Sequence, residues 1–316
     1  RAAGPRARDV VFLAHADEET GAGRRHLDWL LDRQGGALKA EFGFMEGGNT
    51  VWKDGKVAEV RVQTAEKTYL DVTLTSRGSG GHSSIPRQDN AVASLARAVS
   101  RLSDHRSPAV LSPMVREFLE RQASLVDEET GAAIAAVLNA EPSDLDAAVD
   151  GLEAVNLDFA AMLRDTITPT MIQGGYKSNV VPTTASAVMN ARLLPGTQPA
   201  QFLALLAAVA ADPSVSIRAE PAPVPPGPMP VDTDLYRALQ KTAASLAPGA
   251  PVMPFMAVWT TDAASLRRRG TVVYGLDLPL SDDDGARVHG EDERISLKAF
   301  DWYVRFLSAV VKRVAK

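Results

Sequence analysis

Val10-Val-Phe-Leu13, followed by His15-Ala-Asp-Glu-Glu-Thr-Gly-Ala-Gly23, is the stretch that decides the fold class. A short unbroken apolar run that ends in charge reads as a strand buried on both faces of an α/β sheet. Ala16–Gly23 is polar and glycine-rich, which suits a loop, and Leu27, Leu30 and Leu31 recur at helical spacing. A helix is therefore expected over about Ala22–Asp32. Strand, loop and helix in that order predict an α/β unit. They also place Asp17, Glu18 and Glu19 at the carboxyl end of the sheet, where open α/β folds bind their ligands.

Outward from there, Phe42–Met45 reads as a second strand running into Glu46-Gly47-Gly48, and Val57–Thr64 as a third. Tyr69–Thr75 alternates, with Leu70, Val72 and Leu74 on one side, as a half-exposed strand does. Asn90–Leu102 carries Val92, Leu95, Ala96, Val99 and Leu102 on one helical face. Residues 107–165 mix polar and apolar residues and are expected to form extra helices. Thr168–Ile172 and Ala185–Leu194 read as a strand pair and Pro199–Ala210 as a helix. The segment Glu220–Pro230 has six prolines in eleven residues, a composition that favours extended polyproline II and an interdomain connection. Leu235–Leu246 and Leu297–Val314 read as helices and Gly270–Tyr274 as a buried strand. A smaller piece is thus inserted into a larger one.

The bulk numbers agree with two domains. The chain has 316 residues, 45% of them hydrophobic, and a formal net charge of −5. No apolar run approaches the roughly 20 residues that span a bilayer. A net acidic chain without a Lys/Arg cluster argues against nucleic acid as a partner. With no cysteine, thiol nucleophiles, disulfides and thiolate zinc sites are excluded. Arg1–Arg8 run straight into the first strand, so the sequence begins as if cut from something longer, any targeting signal lying in the missing part. The compartment stays open, with a slight lean to the cytoplasm.

Several segments carry chemistry. Three adjacent carboxylates at a strand end repel one another unless a cation sits among them; one can then ligate a metal while its neighbour takes a proton from water. A solvated acidic loop leading into a helix fits Asp17–Glu19 as readily. Glu46, at a strand end before two glycines, reads as a turn residue or as a ligand within reach of the first loop. His289 lies between a valine and a glycine in an acidic surround, as a metal ligand or a solvated loop histidine would. Asp282-Asp-Asp284 reads as a solvated loop, with calcium binding as the alternative for an acidic run. His82, in Gly78-Ser-Gly-Gly-His-Ser-Ser-Ile-Pro86, has no acidic partners, which suits hydrogen bonding to a substrate oxyanion better than metal ligation. Arg192, in an otherwise apolar strand, suits a bidentate carboxylate clamp or an exposed strand-edge charge.

Their order is more specific than any one of them. The blocks Asp17-Glu-Glu19, Glu46-Gly-Gly48, Gly80-Gly-His-Ser-Ser-Ile-Pro86, Asn179-Val-Val-Pro182, Arg192-Leu-Leu-Pro-Gly196, Thr260-Thr-Asp-Ala263 and His289-Gly-Glu-Asp-Glu293 resemble the family-twenty zinc metallopeptidases. That family includes aminoacylase, carboxypeptidase S, glutamate carboxypeptidase and succinyl-diaminopimelate desuccinylase. The segment after His82 most resembles the carboxypeptidase S branch and its secreted N-acyl-amino-acid hydrolase relatives.

The resemblance implies a zinc-exopeptidase-like (phosphorylase/hydrolase-like) α/β sandwich as the catalytic domain, over 1–66 and 229–316 and incomplete at its N-terminus. An α+β ferredoxin-like lid and dimerisation domain would be inserted over 67–228. It implies a hydrolase that cuts a peptide or N-acyl-amino-acid amide bond next to a free carboxylate. Water would be activated by two zinc ions, or cobalt or manganese in their place, and by Glu18 as general base. Glu19, Glu46 and His289 match metal ligands. His82 matches a lid histidine that reaches the partner subunit's site to polarise the scissile carbonyl. Asn179 and Arg192 match substrate-holding residues, and the lid implies a homodimer. No nucleic acid or membrane partner is implied.

The departures matter. The family's His-x-Asp strand end and metal-bridging Asp would lie upstream of Arg1, so three of five expected ligands remain. On that reading the chain as it stands does not assemble a productive zinc pair, which normally needs three protein ligands per catalytic ion. The competing expectation is a catalytically silent chain acting only as a lid-mediated dimerisation or binding module. Trp259 and Ala264 replace small and charged groups that relatives carry, and Asn190 stands where an acidic residue is common.

Overall fold

The computed structural model describes residues 7–16, 18, 23–220, 224 and 226–316. Its strands are β1 (Phe42–Met45), β2 (Asn49–Lys53), β3 (Lys56–Glu66), β4 (Thr68–Arg77), β5 (Gly81–His82), β6 (Thr166–Gly174), β7 (Val180–Val181), β8 (Thr184–Leu193), β9 (Val215–Ala219), β10 (Val252–Ala257) and β11 (Val272–Gly275). The chain divides into two compact units. Unit 1 is Arg1–Glu66, Pro113–Leu125 and Pro225–Lys316; unit 2 is Lys67–Ser112 and Val126–Val224. The helix Pro113–Gln122, inside the 67–228 piece by sequence, packs with unit 1: the Phe118 and Phe255 rings lie 5.6 Å apart, and Gln122 donates to Glu59 at 2.6 Å.

Unit 1 is a mixed α/β sheet in the order β1-β11-β3-β10, with β2 paired to β3. β1 runs parallel to β11, and β10 parallel to β3, the alignment that α/β connections produce. β3 is buried almost end to end, with Val60, Val62, Gln63 and Thr64 fully covered, as a central strand sandwiched on both faces should be. The helices Asp234–Leu246 and Leu297–Val314 bury Leu235, Leu239, Phe306 and Val310 in one cluster with Val60, Val62 and Tyr274. Ser296 caps the second helix by accepting from the amide of Ala299, which sets its start as the sequence pattern predicts.

The strand expected at Val10–Leu13 does not form. Those residues are irregular, with Val10, Val11 and Phe12 51%, 56% and 91% exposed. An apolar run becomes a strand only where a neighbour takes up its N–H and C=O groups, and no described strand lies beside this one. The helix after it runs Gly23–Leu38 with a break at Gln34, longer than the expected Ala22–Asp32. β10 escapes the periodicity reading because Pro254 interrupts it. It is tolerated since β10 ends the described sheet order, where a missing amide donor costs no ladder bond.

Unit 2 is a four-stranded antiparallel sheet, β6-β8-β4-β9, with the helices Ala91–Asp104 and Pro199–Ala210 on one face. In chain order the framework is β-α-β-β-α-β, the ferredoxin-like arrangement. β4 sends Leu70, Val72 and Leu74 to that face and β8 sends Ala185, Ala187, Met189, Ala191 and Leu193, so period-two alternation builds one core. Asn90 caps the first helix by accepting from the amides of Val92 and Ala93. The segment 107–165 supplies three further helices to this unit, Glu128–Asn139, Leu145–Val155 and Leu157–Ala161, tied by buried Arg164 to Asp150 at 2.5 Å and Asp146 at 3.3 Å. Of the proline-rich Glu220–Pro230, only 220, 224 and 226–230 are described. Among the described residues no helix is long and apolar enough to cross a membrane.

Candidate functional site

In unit 1, β1 ends at Met45 and delivers Glu46 to the surface, where the chain turns sharply. The two glycines that follow are required by close approach. Gly47 has φ +110°, and a Cβ there would lie 2.6 Å from the Gln63 amide nitrogen. At Gly48 a Cβ would lie 2.7 Å from the Leu276 Cα and 2.8 Å from the Gly275 oxygen. The Gly47 amide donates to Asp277 Oδ2 at 3.2 Å. Burial pushes the Asp277 carboxyl up to about 6, against the opposing pull of that bond. Glu18 occupies a turn and is half-buried, whereas Asp17 and Glu19 lie outside the described residues. His289 sits in an exposed turn at φ +61°.

Among the described residues no group of three or more His, Asp or Glu side chains gathers as a metal ion requires. Glu46 and His289 are the described members of the expected ligand set, and Glu19 lies outside the described residues.

Beneath this surface lies a buried polar network that periodicity did not predict. Glu66, at the end of β3, and Arg267 are 1% and 4% exposed and approach to 3.8 Å. Glu66 Oε2 accepts from the Thr261 amide at 3.0 Å, the Thr261 hydroxyl at 2.7 Å and Gln63 at 3.2 Å. Arg267 donates to the Gln63 side-chain oxygen at 2.8 Å and to the Val273 carbonyl at 3.0 Å. Burial pushes the Glu66 carboxyl up, while the Arg267 charge and the Thr261 bonds pull it back. The same Gln63 lines both Gly47 and Gly275, so one side chain supports the Glu46 turn and the Thr261 loop. The next residue, Asp262, brings its carboxylate within 3.5 Å of His15 Nδ1. Polar residues inside a buried strand run, Gln63 and Glu66, were the available signal.

In unit 2 the structure brings together two of the expected residues. β5 pairs with β7, setting His82 opposite Val180. The Ser83 amide donates to the Asn179 carbonyl at 3.2 Å, so His82 and Asn179 share one exposed loop cluster. The imidazole is oriented locally: Ser84 N–H donates to Nδ1 at 3.2 Å, and the Ser84 hydroxyl lies 2.7 Å from the same nitrogen. With Nδ1 accepting, the proton of a neutral ring resides on Nε2, which is then a donor.

Arg192 is not part of that cluster. It stands near the far end of β8, eight residues beyond Thr184, about 27 Å along the strand at ~3.4 Å per residue. There its guanidinium lies 4.5 Å from the centroid of the Tyr69 ring, and Nε donates to Asn190 at 2.8 Å. Asn190 donates to Asp71 at 2.9 Å, which also accepts from the Tyr69 hydroxyl at 2.9 Å. The register that sets Tyr69 opposite Arg192 and Asp71 opposite Asn190 explains this closed circuit. Next to it Lys67 is fully buried, and desolvation lowers its ammonium to about 7 despite the attraction of Asp165.

Comparison with known proteins matches residues 64–217 to the model of the M20 peptidase dimerisation domain. Human N-fatty-acyl-amino acid synthase/hydrolase PM20D1 is 26% identical over 316 residues, covering 98% of this chain and 62% of the relative. A carboxypeptidase S-like protein of Dictyostelium discoideum is 28% identical over 270 residues, covering 81% of this chain and 48% of the relative. The chain thus spans less than two thirds of the length of either relative. Among solved structures, the M20 family metallo-carboxypeptidase Sso-CP2 of Sulfolobus solfataricus superposes with a TM-score of 0.66 at 20% identity. It covers 94% of this chain and 68% of that one, which identifies the fold.

Proposed function

We propose, from this chain's place in the M20 peptidase family, that the full-length protein is a metal-dependent amidohydrolase. Its substrates are peptides or N-acyl amino acids that carry a free carboxylate beside the scissile amide. The observation that carries the reading is the His82–Asn179 cluster. The β5–β7 pairing presents an exposed imidazole whose Nδ1 is occupied by Ser84, leaving Nε2–H as a donor to a developing oxyanion. Similarity along 98% of the chain to an acyl-amino-acid hydrolase supports it.

In this reading Glu18 takes a proton from the attacking water. The water oxygen bonds to the amide carbon, and the carbonyl electron pair moves onto oxygen, where His82 Nε2–H from a partner copy stabilises it. Glu18 then returns the proton to the amine as the C–N bond breaks, and the remaining acid proton passes to the amine as well, leaving a carboxylate and an ammonium. Arg192 holds the substrate carboxylate and Asn179 its amide region. Two zinc ions are proposed for the full-length protein, with Glu19, Glu46 and His289 among their ligands.

Full-length protein assayed on N-acyl amino acids and dipeptides tests this: metal-dependent turnover is expected, with Glu18→Gln lowering kcat at least 10³-fold (roughly, from the loss of general-base catalysis). Wild-type-like turnover in Glu18→Gln would end the assignment of Glu18. A second reading has one observation in its favour, that the matching family model is the dimerisation domain. In it the chain acts as a catalytically silent dimerisation or binding module. Less than one metal ion per full-length chain, with no turnover, would favour it.

A further inference from the structure

On either side of Glu18, His15 and the helix Gly23–Leu38 both meet a single segment, Asp262–Arg269, the first by close approach and the second through ion pairs. On the upstream side the His15 imidazole, 12% exposed, meets the Asp262 carboxylate, 3% exposed, at 3.5 Å. The adjoining Ala16 amide donates to His26 Nδ1 at 3.1 Å, and the His26 ring stacks on Trp29. On the downstream side the helix Gly23–Leu38 is held through Asp28 and Asp32. Arg269 donates to Asp28 at 2.6 Å and to Asp32 at 2.7 Å, and Arg268 reaches Asp28 at 3.4 Å.

The segment that provides both anchors is itself fixed from within. Glu66 accepts two bonds from Thr261, and the Ala263 amide donates to the Thr261 hydroxyl at 3.2 Å. Arg267 is locked between Gln63 and the Val273 carbonyl. Asp262 therefore cannot shift without breaking a fully buried network.

We propose that Asp262 is a positioning residue: its carboxylate docks His15 and thereby sets where the Glu18 carboxylate stands. The inference rests on the reading of Glu18 as the base. Glu18 lies three residues after His15, a tether that reaches at most about 11 Å. Freeing His15 would let Glu18 wander on that scale, whereas a general base works only within hydrogen-bond reach of its proton. Asp262 touches no reacting atom in this role.

The test compares Asp262→Ala, Asp262→Asn and His15→Gln in the full-length protein by residue-resolved amide exchange and by steady-state kinetics on an N-acyl amino acid. In Asp262→Ala, the Ala16 amide is expected to exchange at least fivefold faster while the amides of Val273 and Tyr274 stay as in wild type. kcat falls at least tenfold and KM stays within twofold. Asp262→Asn, which keeps an oxygen facing His15, recovers most of both. Unchanged Ala16 exchange in Asp262→Ala would overturn the proposal, as would an equal rise at Val273 and Tyr274, which marks general loosening. Should Asp262→Ala fail to fold, His15→Gln reads the same contact from the loop side. If wild type shows no turnover, the hydrolase reading fails, while Ala16 exchange still decides whether Asp262 holds the loop.

Discussion

The guanidinium of Arg192 lies 4.5 Å from the ring centroid of Tyr69, its cross-strand partner in the β4–β8 ladder. The stack and the Nε bond to Asn190 hold the fork of the side chain in one plane. Lysine keeps the charge but neither the planar stack nor the second donor. Arg192→Lys is expected to destabilise unit 2 by about 1 kcal/mol in chemical denaturation. On the proposed reading it also raises KM for a carboxylate substrate about tenfold, roughly one charge-assisted bond, with kcat nearly unchanged. Equal wild-type KM values for a substrate and its C-terminal amide would remove Arg192 from carboxylate binding.

Lys67 is buried with its ammonium near 7, below the ordinary 10.5. Between those values the unfolded chain binds the proton and the folded chain does not, so stability rises with pH across that window. Below pH 7 both states are charged and the full burial cost is felt. Relative to Lys67→Met, wild type should gain stability from pH 7 to 10, by up to about 1.4 kcal/mol per pH unit. Parallel stability–pH curves for the two proteins would contradict a buried, depressed lysine.

Asp277 is raised to about 6 by burial beside the Glu46 turn. Here the folded state holds the proton more tightly, so stability falls as pH climbs from 3.8 to about 6 and stays lower above it. Asp277→Asn keeps an acceptor for the Gly47 amide and removes the charge. Well above pH 6 it should be more stable than wild type by up to about 3 kcal/mol, with the difference vanishing near pH 4. Thermal melts at pH 4 and pH 8 decide this.

Gly48 has backbone of the Gly275–Asp277 segment on the side where a Cβ would project, at 2.7 to 2.9 Å. Backbone cannot step aside cheaply, so Gly48→Ala should cost about 2 kcal/mol or more. Gly151, inside the helix Leu145–Val155, has nothing within 4 Å of the same position. Gly151→Ala should instead stabilise by about 0.5–1 kcal/mol. Urea midpoints of the two variants, moving in opposite directions, are the readout.

The local elements and the order of the motifs follow directly from residue patterning. Phe42–Met45, Pro199–Ala210 and Leu297–Val314 form with the bounds their periodicity predicts, because a repeat of 2.0 or 3.6 residues already sorts side chains to faces. The glycine pair after Glu46 was legible as a turn, since few other residues tolerate such close backbone approach. Seven ordered blocks carried the resemblance to the family-twenty metallopeptidases, and residues 64–217 match the M20 peptidase dimerisation domain; the β-α-β-β-α-β order of unit 2 emerged only in the fold.

Which distant segments meet is a property of the folded units. Val10–Leu13 has strand composition but no described neighbour to complete a ladder, and β10 is a strand despite Pro254 because it has an edge to occupy. His82 and Asn179 converge through a two-residue pairing too short to show in any pattern, while Arg192, equally suggestive in sequence, stands at the other end of its strand. Asp262 meets His15 across nearly the whole chain because Glu66 and Arg267 bury their charges against each other beneath it. Local sequence sets the face a side chain presents. Which face it meets depends on satisfying buried polar groups and filling the core, and those conditions are met only when the whole unit folds.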